Sequence, residues 1–414
     1  MQRREFIKAT AATALLPLAA SALPQGGGEK SPKVQQIRDR IRPVSAAERQ
    51  QRQENARRLM ADQGIDALVI EGGTSMSYFT GISWGRSERL FAMILTKKGE
   101  PRFVAPKFEE SRAREQVGEG SLLTWEEDES PYSLVKDILS ASGASVGTIG
   151  IEETTRSFVT EGVVSSLPNA RFVSGTPVTA GCRSVKSAHE IELMQIANDI
   201  TAEAYKESLA DLKEGMSERE FGAALSKRFS AYGVNGGALV LFGEASANPH
   251  GLVKEHVLRE GQIVLIDGGC GVEGYGSDIT RTTVFGKPSA KMNDVWNNVR
   301  KAQDAGLKAA RPGVAGEDID AAARKVIADA GYGPGYKYFT HRLGHGIGMD
   351  GHEWYYLVRG NKRPEAAGNM HSNEPGIYIP GEFGIRLEDE MLITETGARL
   401  LLPQAESLER IFPS

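Results

Sequence analysis

Four carboxylates and one imidazole in the last third of the chain, Asp267, Asp278, His345, Glu374 and Glu388, have the types and spacing of a site for two divalent ions. Oxygen ligands with a single ring nitrogen suit hard or borderline ions such as Mn, Co or Zn, whereas thiolates select softer metals. Asp267 ends the apolar run Ile263-Val264-Leu265-Ile266, and Asp278 follows eleven residues later, after the Gly-rich stretch from Gly268 to Gly276. Two strands joined by such a loop set both carboxylates side by side on one sheet. His345 lies in Leu343-Gly344-His345-Gly346-Ile347-Gly348, Glu374 in Asn373-Glu374-Pro375-Gly376-Ile377-Tyr378, and Glu388 in Ile385-Arg386-Leu387-Glu388-Asp389-Glu390. Four close carboxylates repel one another and raise one another's pKa, and two divalent cations cancel their formal charge of minus four. Taken singly, each residue is equally explained as a turn, core or surface group; the five in register carry the reading.

Together these segments resemble the pita-bread metallopeptidases, the family of prolidase, aminopeptidase P and methionine aminopeptidase. The resemblance runs from about Ser45 to the C-terminus, and the fourteen-residue step from Glu374 to Glu388 is most similar to the shorter bacterial and archaeal prolidases. It implies two ions, with Mn the leading expectation, bridged by Asp278 and Glu388. Asp267 would hold one ion, and His345 and Glu374 the other. Such a pair polarises a carbonyl and lowers the pKa of water from 15.7 to about 7, so an amide is hydrolysed by a bridging hydroxide without a protein nucleophile. No G-x-S-x-G elbow, P-loop or dinucleotide fingerprint competes for that chemistry.

Four of the chain's seven histidines fall in these motifs. By resemblance, His250, His341 and His352 match the family's substrate and transition-state histidines, with His250 and His352 nearest the scissile carbonyl and leaving group. Glu374 would add proton shuttling to its ligand role. Arg386 matches a family arginine that orients a carboxylate ligand or binds substrate. Many prolidases follow the His-Glu pair with prolines and an arginine that anchors the dipeptide carboxylate. Here the sequence is Trp354-Tyr355-Tyr356-Leu357-Val358-Arg359. Arg359 becomes the displaced candidate anchor, Trp354 and Tyr355 a candidate proline-ring pocket, and the expectation is that Xaa-Pro-Yaa is cleaved at least as well as Xaa-Pro. The implied activity is that of an Xaa-Pro aminopeptidase or dipeptidase acting on proline-containing peptides. A creatinase-like amidinohydrolase or other small-molecule hydrolase on the same fold, and a non-catalytic peptide-binding relative, are the alternatives, the last of which should have lost ligands.

The 414 residues exceed one ordinary core and suggest two domains. With 40% hydrophobic and 25% charged residues and a formal net charge of -5, the chain reads as soluble and globular, with no basic stripe for nucleic acid. Arg3-Arg4, the apolar run from Ala9 to Ala20 and the site Ala20-Ser21-Ala22 resemble a twin-arginine export signal over residues 1–22. The run is too short to span a bilayer, so a periplasmic or secreted protein without stable membrane insertion is expected. Cleavage would remove Arg3, Arg4, Lys8 and Glu5 and take the formal charge from -5 to -7. Cys182 and Cys270 fall in different domains and give no indication of a disulfide; Cys270 reads as a small buried hydrophobe.

These residues must be positioned by ordered elements. Residues 23–45 read as a flexible leader. Residues 46–180 alternate helix and strand, an α/β domain that resembles the creatinase-type N-terminal domain. The boundary falls near Gly175 to Lys186. Capping boxes at Ser187–Glu190 and Ser217–Glu220 open two helices, and residues 187–414 read as an α+β pita-bread catalytic domain. The same resemblance implies a homodimer.

Overall fold

The structure, a computed structural model, describes residues 32–413. The expected export signal lies outside the described residues, and so does the first part of the leader. The rest of the leader is ordered. Helix α1 (Pro32–Arg38) buries Val34 against the catalytic domain, with Lys33 and Arg40 paired to Glu203 and Asp199 at 2.7 Å each. Composition suggests flexibility, but one buried valine and two ion pairs give this segment a docking face.

The N-terminal domain contains α2 (Ala46–Asp62), β1 (Ala67–Glu71), α3 (Thr74–Thr80), β2 (Ala92–Thr96), β3 (Arg102–Pro106), α4 (Glu110–Val117), β4 (Ser121–Trp125), α5 (Pro131–Ala141), β5 (Thr148–Ile151), α6 (Ser157–Ser166), β6 (Arg171–Ser174) and α7 (Thr176–Ser184). Its strands form one mixed sheet in the order β4-β3-β2-β1-β5-β6, with apolar clusters on both faces. The expected boundary segment is itself a helix: α7 packs Val178 and Cys182 into the core with Ala56 and Met60 of α2.

The catalytic domain opens with α8 (Ala188–Ser208) and α9 (Glu218–Ala231), each started by the expected reciprocal serine–glutamate cap. There follow β7 (Asn235–Phe242), β8 (Gln262–Val272), β9 (Tyr275–Gly276), β10 (Ile279–Phe285), α10 (Ala290–Ala309) and α11 (Gly316–Ile327). The remaining strands are β11 (Gly344–Gly346), β12 (Glu353–Leu357), β13 (Met370–Asn373), β14 (Gly376–Ile379), β15 (Phe383–Arg386), β16 (Asp389–Ile393) and β17 (Ala398–Leu400). All strand pairs here are antiparallel, in the orders β10-β8-β7 with β9 on β8, β12-β11-β13-β16-β17, and β14-β15. Along β8, Val264 and Ile266 join the core under α8 and α9, while Ile263 and Leu265 join the core under α10 and α11. A strand buried on both faces must be apolar throughout, which is why this run does not alternate.

The Gly-rich stretch after Asp267 is not the expected loop. β8 runs straight through to Val272 and turns at Glu273-Gly274 into β9. The glycines serve close approach instead: a Cβ at Gly269 would stand 2.0 Å from the Ser277 carbonyl oxygen. Both cysteines are free and buried, and Cys270 packs in the α8–α9 core.

The two domains are joined by buried polar contacts. Arg52 of α2 reaches Glu190 at 3.1 Å and the Tyr275 hydroxyl at 2.8 Å. Lys186 meets Glu353 at 2.8 Å, and Arg183 pairs with both Glu353 and Asp350. Truncating one member of such a buried group leaves its partner uncompensated, so the relative placement of the domains is strongly held.

Candidate metal centre and active site

The site lies where the three sheets of this domain meet. Antiparallel register sets Thr280 of β10 directly opposite Asp267 of β8, and Asp278 enters just before β10. His345 is the middle residue of β11, Glu374 follows β13, and Glu388 connects β15 to β16. Backbone bonds draw these segments together: the Glu374 N–H donates to the Leu343 carbonyl at 2.9 Å, and the Glu388 N–H to the Thr280 carbonyl at 3.2 Å.

Ligand atoms of Asp278, His345 and Glu388 lie within 4.8 Å of one another. Glu374 is 3.4 Å from His345 Nε2, and Asp278 is 3.9 Å from it. The Thr280 hydroxyl contacts Asp267 Oδ1 at 2.8 Å and Glu388 Oε2 at 2.6 Å, which ties the fifth ligand to the group. All five expected ligands are therefore assembled. His345 is buried, whereas Asp278 keeps 23% side-chain exposure, so the cluster opens in one direction.

The electrostatics fit divalent cations. Burial first, then repulsion from Asp267 and Glu374, pushes Asp278 well above the usual carboxylate range; burial and then Asp278 do the same to Glu388. Glu374 is pushed up to about 8 by burial, against the pull of Arg386. Asp267 differs: burial would raise it, but the Arg386 charge and the bonds from Thr280 and Arg386 hold it below its ordinary value. Three carboxyls forced toward the neutral form by burial and by one another form a donor set that cations would relieve.

Groups around the ligands fix their orientation. The Ser372 hydroxyl donates to Glu374 Oε1 at 3.1 Å and accepts the His345 backbone N–H at 3.0 Å. The Asp278 N–H donates to Glu390 Oε1 at 2.8 Å. Sequence reasoning missed Thr280, Ser372 and Glu390, although strand register alone would have set Thr280 beside Asp267. It also missed Tyr378, whose hydroxyl meets His341 Nε2 at 2.7 Å and accepts from Arg386 at 2.9 Å.

The candidate histidines divide between base and rim. His341 stands 3.8 Å from Glu374 and is pushed down to about 3, first by burial and then by the Arg386 charge. His352 stacks on His345 with ring centroids 3.8 Å apart. Burial, then Arg342 and His250, hold it below its ordinary value. His250 is exposed at the rim, next to Pro249, whose carbonyl accepts from Arg386.

Of the two candidate substrate arginines, one is committed to groups of the ligand cluster and the other lines a separate surface depression. Arg386 is buried, with its donors committed to Thr280, Pro249, Tyr378 and Asp267. It orients a ligand and has no role as a free anchor. Arg359 is exposed beyond β12, over the Tyr336 ring, in a depression shared with Glu317, Asp318 and Asp320 of α11. Arg324 and Lys325 line the same depression, which includes neither His352 nor any of the five candidate ligands, so Arg359 lies on a different surface from the candidate site. The aromatic pocket shifts as well: Trp354 and Tyr356, with rings 4.6 Å apart, line the cleft between the domains with His352 and Glu153, whereas Tyr355 lies under Arg363.

An assembled carboxylate–imidazole centre, adjoined through the stacked His352 to an interdomain cleft, on this pair of folds, defines a metallopeptidase. Residues 192–395 match metallopeptidase family M24, and residues 52–185 match the creatinase/prolidase N-terminal domain. An uncharacterized peptidase of Schizosaccharomyces pombe is 38% identical, covering 85% of this chain and 81% of the relative. The structure of dipeptidase PepE from Mycobacterium ulcerans is similar with TM-score 0.81 and 32% identity, over 88% of this chain and 98% of that one. The Xaa-Pro dipeptidase of Bacillus anthracis gives TM-score 0.75 and 27% identity, over 85% and 97%. The chain belongs to the M24 metallopeptidases, with a creatinase-like N-terminal domain and a pita-bread catalytic domain.

Proposed function

We propose that this M24 peptidase is an Xaa-Pro exopeptidase, of the Xaa-Pro dipeptidase or Xaa-Pro aminopeptidase type, working with two divalent ions. The observation that carries the reading is the gathering of Asp267, Asp278, His345, Glu374 and Glu388 beside His352. Asp267, Asp278, His345, Glu374 and Glu388 would hold the ions, with Mn expected and Co or Zn as substitutes. When bound, the ions supply Lewis acidity toward the scissile carbonyl and activation of water.

The chain's own groups do the rest. Glu374 takes the proton of the attacking water and returns it to the leaving nitrogen, while His352 and His250 flank the carbonyl and the departing residue. His341 is neutral and holds the Tyr378 hydroxyl, which in turn supports Arg386. Trp354 and Tyr356 offer an apolar wall for a proline ring. The preference for proline is supported by the family and by the Xaa-Pro dipeptidase among the similar structures.

The remaining expectations belong to the same proposal. Arg3, Arg4 and the Ala20-Ser21-Ala22 site support twin-arginine export to the periplasm or beyond, and among the described residues no helix is long and apolar enough to cross a membrane. A homodimer is expected from the family. The functional reading is tested by mass-spectrometric digests of Ala-Pro, Ala-Pro-Ala, Ala-Ala, Ala-Ala-Ala and creatine with Mn-loaded protein. Cleavage confined to the bond before proline is expected; equal turnover of Ala-Ala would remove the proline preference, and turnover of creatine alone would favour an amidinohydrolase.

A further inference from the structure

The cations around the ligand cluster are almost all engaged. Arg386 serves Asp267, Arg281 pairs with Asp389 at 2.6 Å, Lys186 meets Glu353, and Arg324 forks onto Asp320 and reaches the His341 carbonyl at 2.8 Å. Arg342 is the exception. It lies between His341 and Leu343, is half-buried, and its side chain makes no ion pair or hydrogen bond among the described residues. Its guanidinium is braced on the Tyr356 ring, 4.0 Å from the centroid, and Tyr356 lines the cleft alongside His352. His352 in turn stacks on His345, so the braced guanidinium stands beside the cleft wall that adjoins the candidate ligands.

A half-buried guanidinium without a counter-ion, held in one orientation by an aromatic face, is a prepared receptor for a planar anion. Among the described residues no carboxylate supplies that anion, which points to the substrate. In a dipeptide the terminal carboxylate is one residue beyond the scissile carbonyl, and consecutive Cα atoms are about 3.8 Å apart. His352, stacked on the candidate ligand His345, lines the same cleft as Tyr356, so a departing residue in this cleft would bring its carboxylate toward the Tyr356 side that carries Arg342. A third residue would move the carboxylate on by roughly 3.3–3.6 Å and present a neutral carbonyl to Arg342 instead.

We propose that Arg342, braced on Tyr356, receives the C-terminal carboxylate of a dipeptide substrate and makes this site a dipeptidase. The inference rests on the exopeptidase reading above. It places the anchor on the segment before β11, in place of Arg359 beyond β12, and reverses the expectation that longer peptides are cleaved at least as well.

The test compares Ala-Pro, Ala-Pro-amide and Ala-Pro-Ala on the Mn-loaded wild-type protein, R342Q, R342K and R359Q, with kcat and KM measured separately. The wild type should favour Ala-Pro over its amide by about ten- to a hundredfold in kcat/KM, the range for a hydrogen bond to a charged group. R342Q should raise KM for Ala-Pro by a similar factor and leave the amide within about twofold, with R342K recovering part of the loss. Equal turnover of acid and amide by the wild type would overturn the proposal even if no variant folds. So would equal losses on both substrates in R342Q, or the acid-specific loss appearing in R359Q. If the wild type cleaves Ala-Ala as fast as Ala-Pro, the proline reading fails, and Arg342 is still judged by Ala-Ala against its amide.

Discussion

Arg386 donates to Asp267 Oδ2 at 2.5 Å, across the seam between β15 and β8. The same guanidinium holds Thr280 and Tyr378, so one buried cation sets the direction of the candidate ligand Asp267 and of the hydroxyl that supports His341. Lysine keeps the charge but cannot reproduce the fork. Arg386→Lys should therefore lower Mn affinity by about ten- to a hundredfold, the usual cost of losing a group that orients a ligand. Calorimetric titration of metal-free protein checks this, and wild-type affinity would show that Arg386 does not orient Asp267.

Asp278 and Asp389 should fail in different ways. Asp278→Asn removes a ligand charge from the open side of the cluster, and activity should fall by more than about a hundredfold with the thermal midpoint little changed. Asp389 is buried and pairs with Arg281, whose own side chain is 1% exposed. Asp389→Asn leaves that cation uncompensated and should cost about 3–5 kcal/mol of stability. Denaturant unfolding and initial rates of both variants separate the two effects; matching profiles would mean that the ligand assignment is wrong.

The metal-free protein should lose stability as pH rises above neutrality. Buried Glu374, pushed up to about 8, keeps a proton in the folded state that the unfolded chain has already released, so the folded state binds more protons and stability falls with pH until about 8. His341 and His345, pushed down to about 3 and about 4 by burial, act in the opposite direction, but only below their unfolded pKa of about 6.5. The window between about pH 6.5 and 8 is therefore left to the carboxyls, and the midpoint should drop there by about 2–4 °C. Saturating Mn should abolish the drop, because a bound cation replaces the proton. A metal-free midpoint that rises across this window would contradict the description of the cluster.

The five candidate ligands were legible because each sits in a short motif whose order and spacing are local properties of the chain. The strands and the capped helices α8 and α9 were legible for the same reason, through apolar runs and serine–glutamate caps. What was not legible depends on contacts between distant segments. Thr280 joins Asp267 to Glu388 only because β8, β10 and the β15–β16 connection converge. Val34 turns a Gly- and Pro-rich leader into a docked helix only because the catalytic domain offers it a face. The glycines after Asp267 look like a loop because their purpose, close approach of Ser277, is set by the partner strand. Arg359 is a candidate anchor by its place after His352, and the chain carries it over Tyr336 instead.

The most direct test of the central claim is the hydrolysis of Ala-Pro by chelator-treated protein during titration with Mn. Metal-free protein should show no turnover, with recovery that saturates as two equivalents are bound and with Co or Zn able to substitute. Full turnover by protein shown to be free of metal would contradict the claim.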